Sequence, residues 1–85
     1  MIELKDIYEA REVIKGTLHR TPVTRSTYLG DQVGAMLYFK LEMFQKTGSF
    51  KPRGVLNKLR SLTADERERG VIGVSAGNHA QALAW

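Results

Sequence analysis

Two short segments of the chain contain the side chains that could do chemistry. Residues 47–54 include Lys51, and residues 75–81 include Asn78 and His79. A lysine whose amine is neutral can form a Schiff base with a carbonyl compound. Glycine and free backbone N–H groups at the start of a helix suit a bound phosphate or carboxylate. The two segments therefore offer a candidate Schiff-base lysine and a candidate anion-binding turn.

Each of these residues, taken alone, also has an ordinary structural interpretation. A single lysine at a helix start is usually a surface residue, and Gly77 with Asn78 is typical of a turn with positive φ. A lone histidine such as His79 is more often structural than a ligand, and no carboxylate lies at metal-ligand spacing from His19 or His79. The chain has no cysteine, so a thiolate zinc site and a cysteine nucleophile are excluded. We predict no metal site.

The first half of the chain predicts a helix, a turn and a strand. Apolar residues at helical spacing indicate a helix over residues 6–15, with Gly16 just beyond its end. An irregular stretch follows around residues 21–23, and glycines indicate a turn at residues 30–34. Alternating apolar residues over 36–42 predict a strand with one buried face.

The second half predicts helices that follow loops, and one buried strand. A loop leads into a helix that has Pro52 in its first turn, where a missing N–H costs nothing. A short third helix ends at Gly70. The continuous apolar run over residues 71–74 is typical of a strand buried on both faces of a parallel sheet. The tight turn at residues 75–78 then starts a helix at about His79.

The order of these elements is that of an α/β domain at its beginning. A strand buried on both faces needs neighbouring strands and helices on both sides, and two strands cannot supply them. We therefore expect residues 1–85 to be the N-terminal part of a catalytic domain that ends inside a helix, with no separate linker or repeat. We also expect the 85-residue segment to fold poorly by itself.

Composition favours an ordinary soluble globular protein. The chain is 42% hydrophobic and 26% charged, and it has no apolar run of the roughly 20 residues that a membrane span needs. The net charge is +4, but the basic residues are scattered, which does not favour nucleic-acid binding. The acidic start is unlike a secretory signal. We expect a cytoplasmic protein with neither nucleic acid nor a membrane as a partner.

The two segments together closely resemble the pyridoxal-phosphate enzymes of fold type II. Among these enzymes the chain is most similar to the serine/threonine dehydratases (threonine ammonia-lyases), and serine racemase is the nearest relative of that branch. The resemblance extends over most of the sequence, at residues 19–22, 39–42, 45–51, 53–54 and 75–81. Related synthases have threonine after the asparagine of the second segment, whereas this chain has His79, which favours the dehydratases.

The resemblance implies a role for each site residue. Lys51 would hold pyridoxal 5'-phosphate as a Schiff base and then move the substrate's Cα proton. Phe50 would lie beside the pyridine ring, and Asn78 would hydrogen-bond the 3′ oxygen of that ring. The substrate carboxylate would be bound by the turn made of Ser75, Ala76, Gly77, Asn78 and His79.

The implied reaction is deamination of a small hydroxy amino acid. L-Threonine would give 2-oxobutanoate and ammonia, and L-serine would give pyruvate and ammonia, in amino-acid metabolism such as isoleucine biosynthesis. The family forms homodimers or homotetramers. The racemases of the family have a serine at the position of Ala76. The methyl side chain of Ala76 cannot protonate the second face of the substrate, so elimination is favoured. The alternatives are a serine racemase and a non-catalytic anion-binding α/β domain.

Overall fold

The computed structural model describes residues 1–85 as five α-helices and one two-stranded antiparallel ribbon. The strands are β1 (Val23–Arg25) and β2 (Tyr38–Lys40), and Val23 pairs with Lys40 in the register. A single 3₁₀ turn, Glu42–Phe44, and a tight turn, Lys46–Gly48, follow the ribbon. The helices are α1 (Leu4–Ile14), α2 (Thr27–Val33), α3 (Lys51–Ser61), α4 (Ala64–Glu68) and α5 (Asn78–Ala84).

The first helix confirms its prediction, with a start two residues earlier than expected. The backbone N–H of Glu3 donates to the Asp6 carboxylate at 2.7 Å, and this capping contact fixes the start of α1 before Leu4. Gly16 follows the end of α1 with φ of +77°, a left-handed conformation that glycine adopts without steric cost.

The segment between α1 and β2 differs from its prediction. The predicted turn at residues 30–34 is wrong, because α2 occupies residues 27–33 and Gly34 ends it with φ of +68°. Ser26 caps this helix by accepting the N–H of Leu29 at 3.3 Å. Gly30 lies buried within α2, where an added Cβ would stand 2.6 Å from the Ala35 carbonyl oxygen. Glycine at this position therefore permits close packing, and it does not mark a turn.

Helix α3 confirms the predicted helix that has Pro52 in its first turn, and it forms the centre of the packing. Pro52 lies in the first turn of α3 and is fully buried, and Val55 is buried one turn later. This helix packs against both α1 and α5. Four of the seven buried residues lie within residues 45–55, so the best-packed part of the chain holds the start of α3.

The predicted buried strand at residues 71–74 does not form. The segment has no partner strand, and the side chains of Ile72 and Val74 are 95% and 96% exposed. The physical reason is that β1 and β2 pair only with each other, so the described chain has no neighbour for a parallel strand. The following helix begins at Asn78, as expected within one residue. No helix of the structure combines the length and the apolar character that crossing a membrane requires.

Candidate functional site

Lys51 is the first residue of α3 and is half-buried. Its ammonium nitrogen lies 5.2 Å from the centroid of the Phe50 ring, and no carboxylate lies within ion-pair distance of it. The Lys51 backbone N–H donates to the Ser49 hydroxyl at 3.4 Å. The Phe50 residue is 60% exposed, so its ring is open to a ligand.

The loop before Lys51 has an unusual backbone. Thr47 has φ of +63° and Gly48 has φ of +73°, so two consecutive residues are left-handed. A β-branched residue rarely adopts this conformation, which costs on the order of 1–3 kcal/mol unless its surroundings enforce it. The buried hydroxyl of Thr47 also has no hydrogen-bond partner. The tight packing around residues 45–52 therefore holds a strained loop immediately before the lysine.

A bidentate ion pair fixes the first turn of α3. Arg53 donates from Nε to Glu42 Oε2 at 2.9 Å and from Nη2 to Glu42 Oε1 at 2.8 Å. The hydroxyl of Thr21 also donates to Glu42. The hydrogen bond from Arg53 is the largest cause that lowers the pKa of Glu42 from 4.5 to about 2, and burial opposes it. Glu42 in turn raises the pKa of Arg53.

Gln45 fixes the other end of the same loop. Its buried amide donates from Nε2 to the His19 carbonyl at 2.8 Å. Its oxygen accepts the N–H groups of His19 and Lys46, each at 2.9 Å. Gln45 therefore binds the backbone of residue 19 and the loop that leads to Lys51.

The second predicted segment lies at the start of α5. The Ser75 hydroxyl accepts the N–H of Gly77 at 3.2 Å and closes the turn before the helix. Ser75, Ala76, Gly77 and Asn78 are exposed, whereas His79 is half-buried. Helix α5 packs against α3 and against the tight turn at Lys46–Gly48, so the fold brings both predicted segments to one side of the molecule.

One cavity of about 590 Å³ lies between α3 and α5. Phe50, Lys51 and His79 line it, together with apolar side chains such as Leu59 and Leu83. Of the predicted site residues, the structure brings these three together, while Ser75, Ala76, Gly77 and Asn78 do not line the cavity. No group of three His, Cys, Asp or Glu side chains is arranged to hold a metal ion.

Comparison with known proteins identifies the family. Residues 14–85 match the family described as pyridoxal-phosphate dependent enzyme. The chain belongs to this family. The predicted resemblance and the predicted cofactor are thereby confirmed, and membership in an enzyme family disfavours the non-catalytic alternative.

The curated relatives of this pyridoxal-phosphate-dependent chain include both lyases and racemases. The L-threonine ammonia-lyase of Thermotoga maritima is 50% identical over 84 residues, which are 99% of this chain and 21% of that protein. The serine racemase of Dictyostelium discoideum is 46% identical over 99% of this chain and 26% of that protein. The catabolic L-threonine dehydratase TdcB of Escherichia coli K12 is 43% identical over 96% of this chain and 25% of that protein. The chain thus spans about a quarter of the length of these relatives.

Solved structures confirm the predicted α/β fold class of fold type II. Maize serine racemase superposes with a TM-score of 0.84 at 44% identity, over 96% of this chain and 26% of that one. The T.th. threonine deaminase superposes with a TM-score of 0.79 at 43% identity, over 98% of this chain and 29% of that one. The described residues correspond to a small N-terminal part of that fold.

The residues of the site fit pyridoxal phosphate. The group needs an amine that is free of a carboxylate partner, and Lys51 supplies one beside the exposed ring of Phe50. The adjoining cavity is lined largely by apolar side chains, which suits a planar aromatic ring. An exposed amide at Asn78 and an exposed turn at residues 75–77 lie on the neighbouring helix start.

The contacts that hold Lys51 in place were not predictable from single residues. Glu42 and Arg53 belong to the motifs of the resemblance, but nothing in their spacing indicated that they pair across eleven positions. Gln45 likewise showed no sign that it would be buried. The available signal was the clustering of polar residues in otherwise apolar surroundings, because buried polar groups require partners.

Proposed function

We propose that the chain supplies the cofactor-bearing lysine of a pyridoxal-phosphate-dependent threonine/serine dehydratase. Its substrates would be L-threonine, deaminated to 2-oxobutanoate and ammonia, and L-serine, deaminated to pyruvate and ammonia. The observation that carries the proposal is Lys51, placed at the start of α3 beside Phe50 with no acidic partner. The identity of 50% and 43% to proteins named as a threonine ammonia-lyase and a threonine dehydratase supports the choice of reaction.

Pyridoxal phosphate, when bound, supplies an electron sink that stabilises negative charge at the substrate's Cα. The lysine amine would then act as the base that removes the Cα proton, which is the role that the family resemblance implies for it. The attachment of Lys51 to the buried first turn of α3 limits the positions that this amine can take. The β-hydroxyl group leaves with a proton as water, and the enamine that is released takes up water to give the 2-oxo acid and ammonia.

The other site residues bind and orient. Phe50 would offer an aromatic face beside the cofactor ring, and the Asn78 amide would donate a hydrogen bond to the ring's 3′ oxygen. The substrate carboxylate is bound by the turn at the start of α5, made of Ser75, Ala76, Gly77, Asn78 and His79. Residues 75–78 of this turn are exposed on the described chain, so an anion can reach its backbone, although the N–H of Gly77 is already donated to the Ser75 hydroxyl.

Elimination is proposed over racemisation because of Ala76. Racemisation needs a second acid or base on the cofactor face opposite Lys51, since one group cannot deliver a proton to both faces of Cα. The methyl side chain of Ala76 cannot donate or accept a proton. We further propose that residues 1–85 are the N-terminal part of the catalytic domain of a cytoplasmic homodimer or homotetramer, active in amino-acid metabolism.

The test is product analysis with the full chain and bound cofactor. L-Threonine should give equal amounts of 2-oxobutanoate and ammonia, and L-serine should give pyruvate with little D-serine. Lys51→Ala should lower kcat by about 10²- to 10⁴-fold, the range expected for a general base. Lys15→Ala, which alters an exposed lysine at the end of α1, is the control and should keep full activity. If the unmodified protein formed abundant D-serine, the proposed dehydratase function would be rejected in favour of serine racemase.

A further inference from the structure

Both ends of the loop that carries Lys51 are tied to one short piece of backbone. Gln45, six positions before the lysine, is hydrogen-bonded to the N–H and the carbonyl of His19. Arg53, two positions after the lysine, donates from Nη2 to the same His19 carbonyl and to the Thr21 hydroxyl, each at 3.4 Å. The loop is therefore closed against residues 19–21 on both sides.

Glu42 completes this arrangement, which we name the Glu42–Arg53 clamp and which consists of Thr21, Glu42, Gln45 and Arg53. The side chains of Arg53 and Glu42 are only 27% and 17% exposed. Two parallel N–H···O bonds fix the plane of the guanidinium as well as its distance from the carboxylate. A single ammonium group in place of the guanidinium would keep the charge but lose this orientation.

The clamp acts on the rotation of the first turn of α3. The amine of a helical lysine lies on the order of 8 Å from the helix axis, so a rotation of about 7° moves it by about 1 Å. A misplacement of about 1 Å in a reacting group can lower a rate by about 10²-fold. The strained backbone at Thr47 adds to this sensitivity, because it would relax if the loop were released.

We propose that the Glu42–Arg53 clamp is the positioning device that sets where the Lys51 amine meets the substrate's Cα proton. This inference rests on the proposed function, in which Lys51 moves that proton. The four clamp residues are positioning residues. Thr21, Glu42 and Gln45 do not line the cavity beside Lys51. Arg53 does line it, but its guanidinium is paired with Glu42.

The experiment uses the full chain with bound cofactor and two clamp variants, Arg53→Lys and Thr21→Val. Arg53→Lys keeps the charge and removes the two-point contact, while Thr21→Val removes one donor to Glu42 at nearly constant volume. Glu12→Gln, which breaks the exposed Lys15–Glu12 pair, is the matched control. We measure kcat per mole of bound cofactor, KM for L-threonine, and the kinetic isotope effect with substrate deuterated at Cα.

The clamp predicts that kcat per bound cofactor falls about 10²-fold in Arg53→Lys and by a smaller factor in Thr21→Val. KM should stay within about threefold, and the isotope effect should rise because proton removal has become slower. If the clamp only stabilised the fold, its variants would yield less cofactor-loaded protein, but kcat per bound cofactor and the isotope effect would stay unchanged. That result would overturn the clamp. Thr21→Val decides the question if Arg53→Lys does not accumulate.

Borohydride reduction of the unmodified protein separates the two proposals. A reduced cofactor found on Lys51, combined with unchanged kinetics in the clamp variants, rejects the clamp and keeps the proposed function. A reduced cofactor found on another lysine rejects both the role of Lys51 and the clamp that depends on it.

Discussion

Replacement of Glu42 by glutamine should destabilise the protein in a pH-dependent manner. Glu42 accepts two hydrogen bonds from Arg53 and one from Thr21, and its side chain is 17% exposed. Glu42→Gln keeps the shape of the side chain but removes the charge that holds these donors. The variant therefore resembles a protein in which this one carboxyl is permanently protonated.

The magnitude follows from the pKa of Glu42, which is lowered from 4.5 to about 2. A tenfold change in an acid dissociation constant corresponds to about 1.4 kcal/mol, so the ionised form is worth about 3 kcal/mol of stability at pH 7. Because the pKa is lower in the folded protein, this stabilisation is fully present above about pH 4.5 and is lost as the pH falls toward 2. By pH 3.5 about 1.4 kcal/mol of the difference between the two proteins should be gone.

The assay is urea unfolding of the full chain and of Glu42→Gln at pH 7 and at pH 3.5. We expect a difference of about 3 kcal/mol at pH 7 that narrows to about 2 kcal/mol at pH 3.5. Glu12→Gln removes an exposed ion pair and should cost less than about 1 kcal/mol at either pH. A difference for Glu42→Gln that is below about 1 kcal/mol at pH 7, or that does not change with pH, would mean that the ionised carboxylate does not stabilise the fold.

Three further substitutions test other contacts and the choice of reaction. Gln45→Ala leaves the N–H groups of His19 and Lys46 without their acceptor, so it should lower the unfolding free energy by about 2–3 kcal/mol in urea titrations; no loss would contradict the role of Gln45. Gly30→Ala places a Cβ 2.6 Å from the Ala35 carbonyl oxygen and should cost about 1–3 kcal/mol, visible as a lower Tm. Ala76→Ser introduces a hydroxyl and should raise D-serine formation from L-serine in chiral chromatography, whereas unchanged D-serine would exclude this position as the second proton donor.

Sequence patterns were most informative where the signal is local. Helix α3 was predictable because Pro52 and the apolar spacing after it lie within one element, and its buried residues agree with that pattern. The positions of Lys51 and Asn78 at loop-to-helix junctions drew attention to them, but only the resemblance to the pyridoxal-phosphate enzymes gave them their roles. The structure places both at helix starts, although only Lys51 lines the cavity.

The errors arose where structure depends on distant partners. Gly30 indicated a turn, yet its missing side chain serves the contact with Ala35 inside a helix. The apolar run at residues 71–74 indicated a strand, but a strand exists only when a neighbour pairs with it, and no neighbour is present in the described chain. The pairing of Glu42 with Arg53 depends on the path of the backbone between them, which spacing does not reveal.

The lysine that carries the cofactor can be located by chemical reduction. The full chain loaded with pyridoxal phosphate is treated with borohydride, digested, and analysed by peptide mass spectrometry. We predict that the reduced cofactor is found on Lys51, that Lys46 and Lys58 are unmodified, and that Lys51→Arg loses the label together with the visible absorbance. A label on a different lysine, or undiminished deaminase activity in Lys51→Arg, would contradict the assignment of Lys51 as the cofactor-bearing residue.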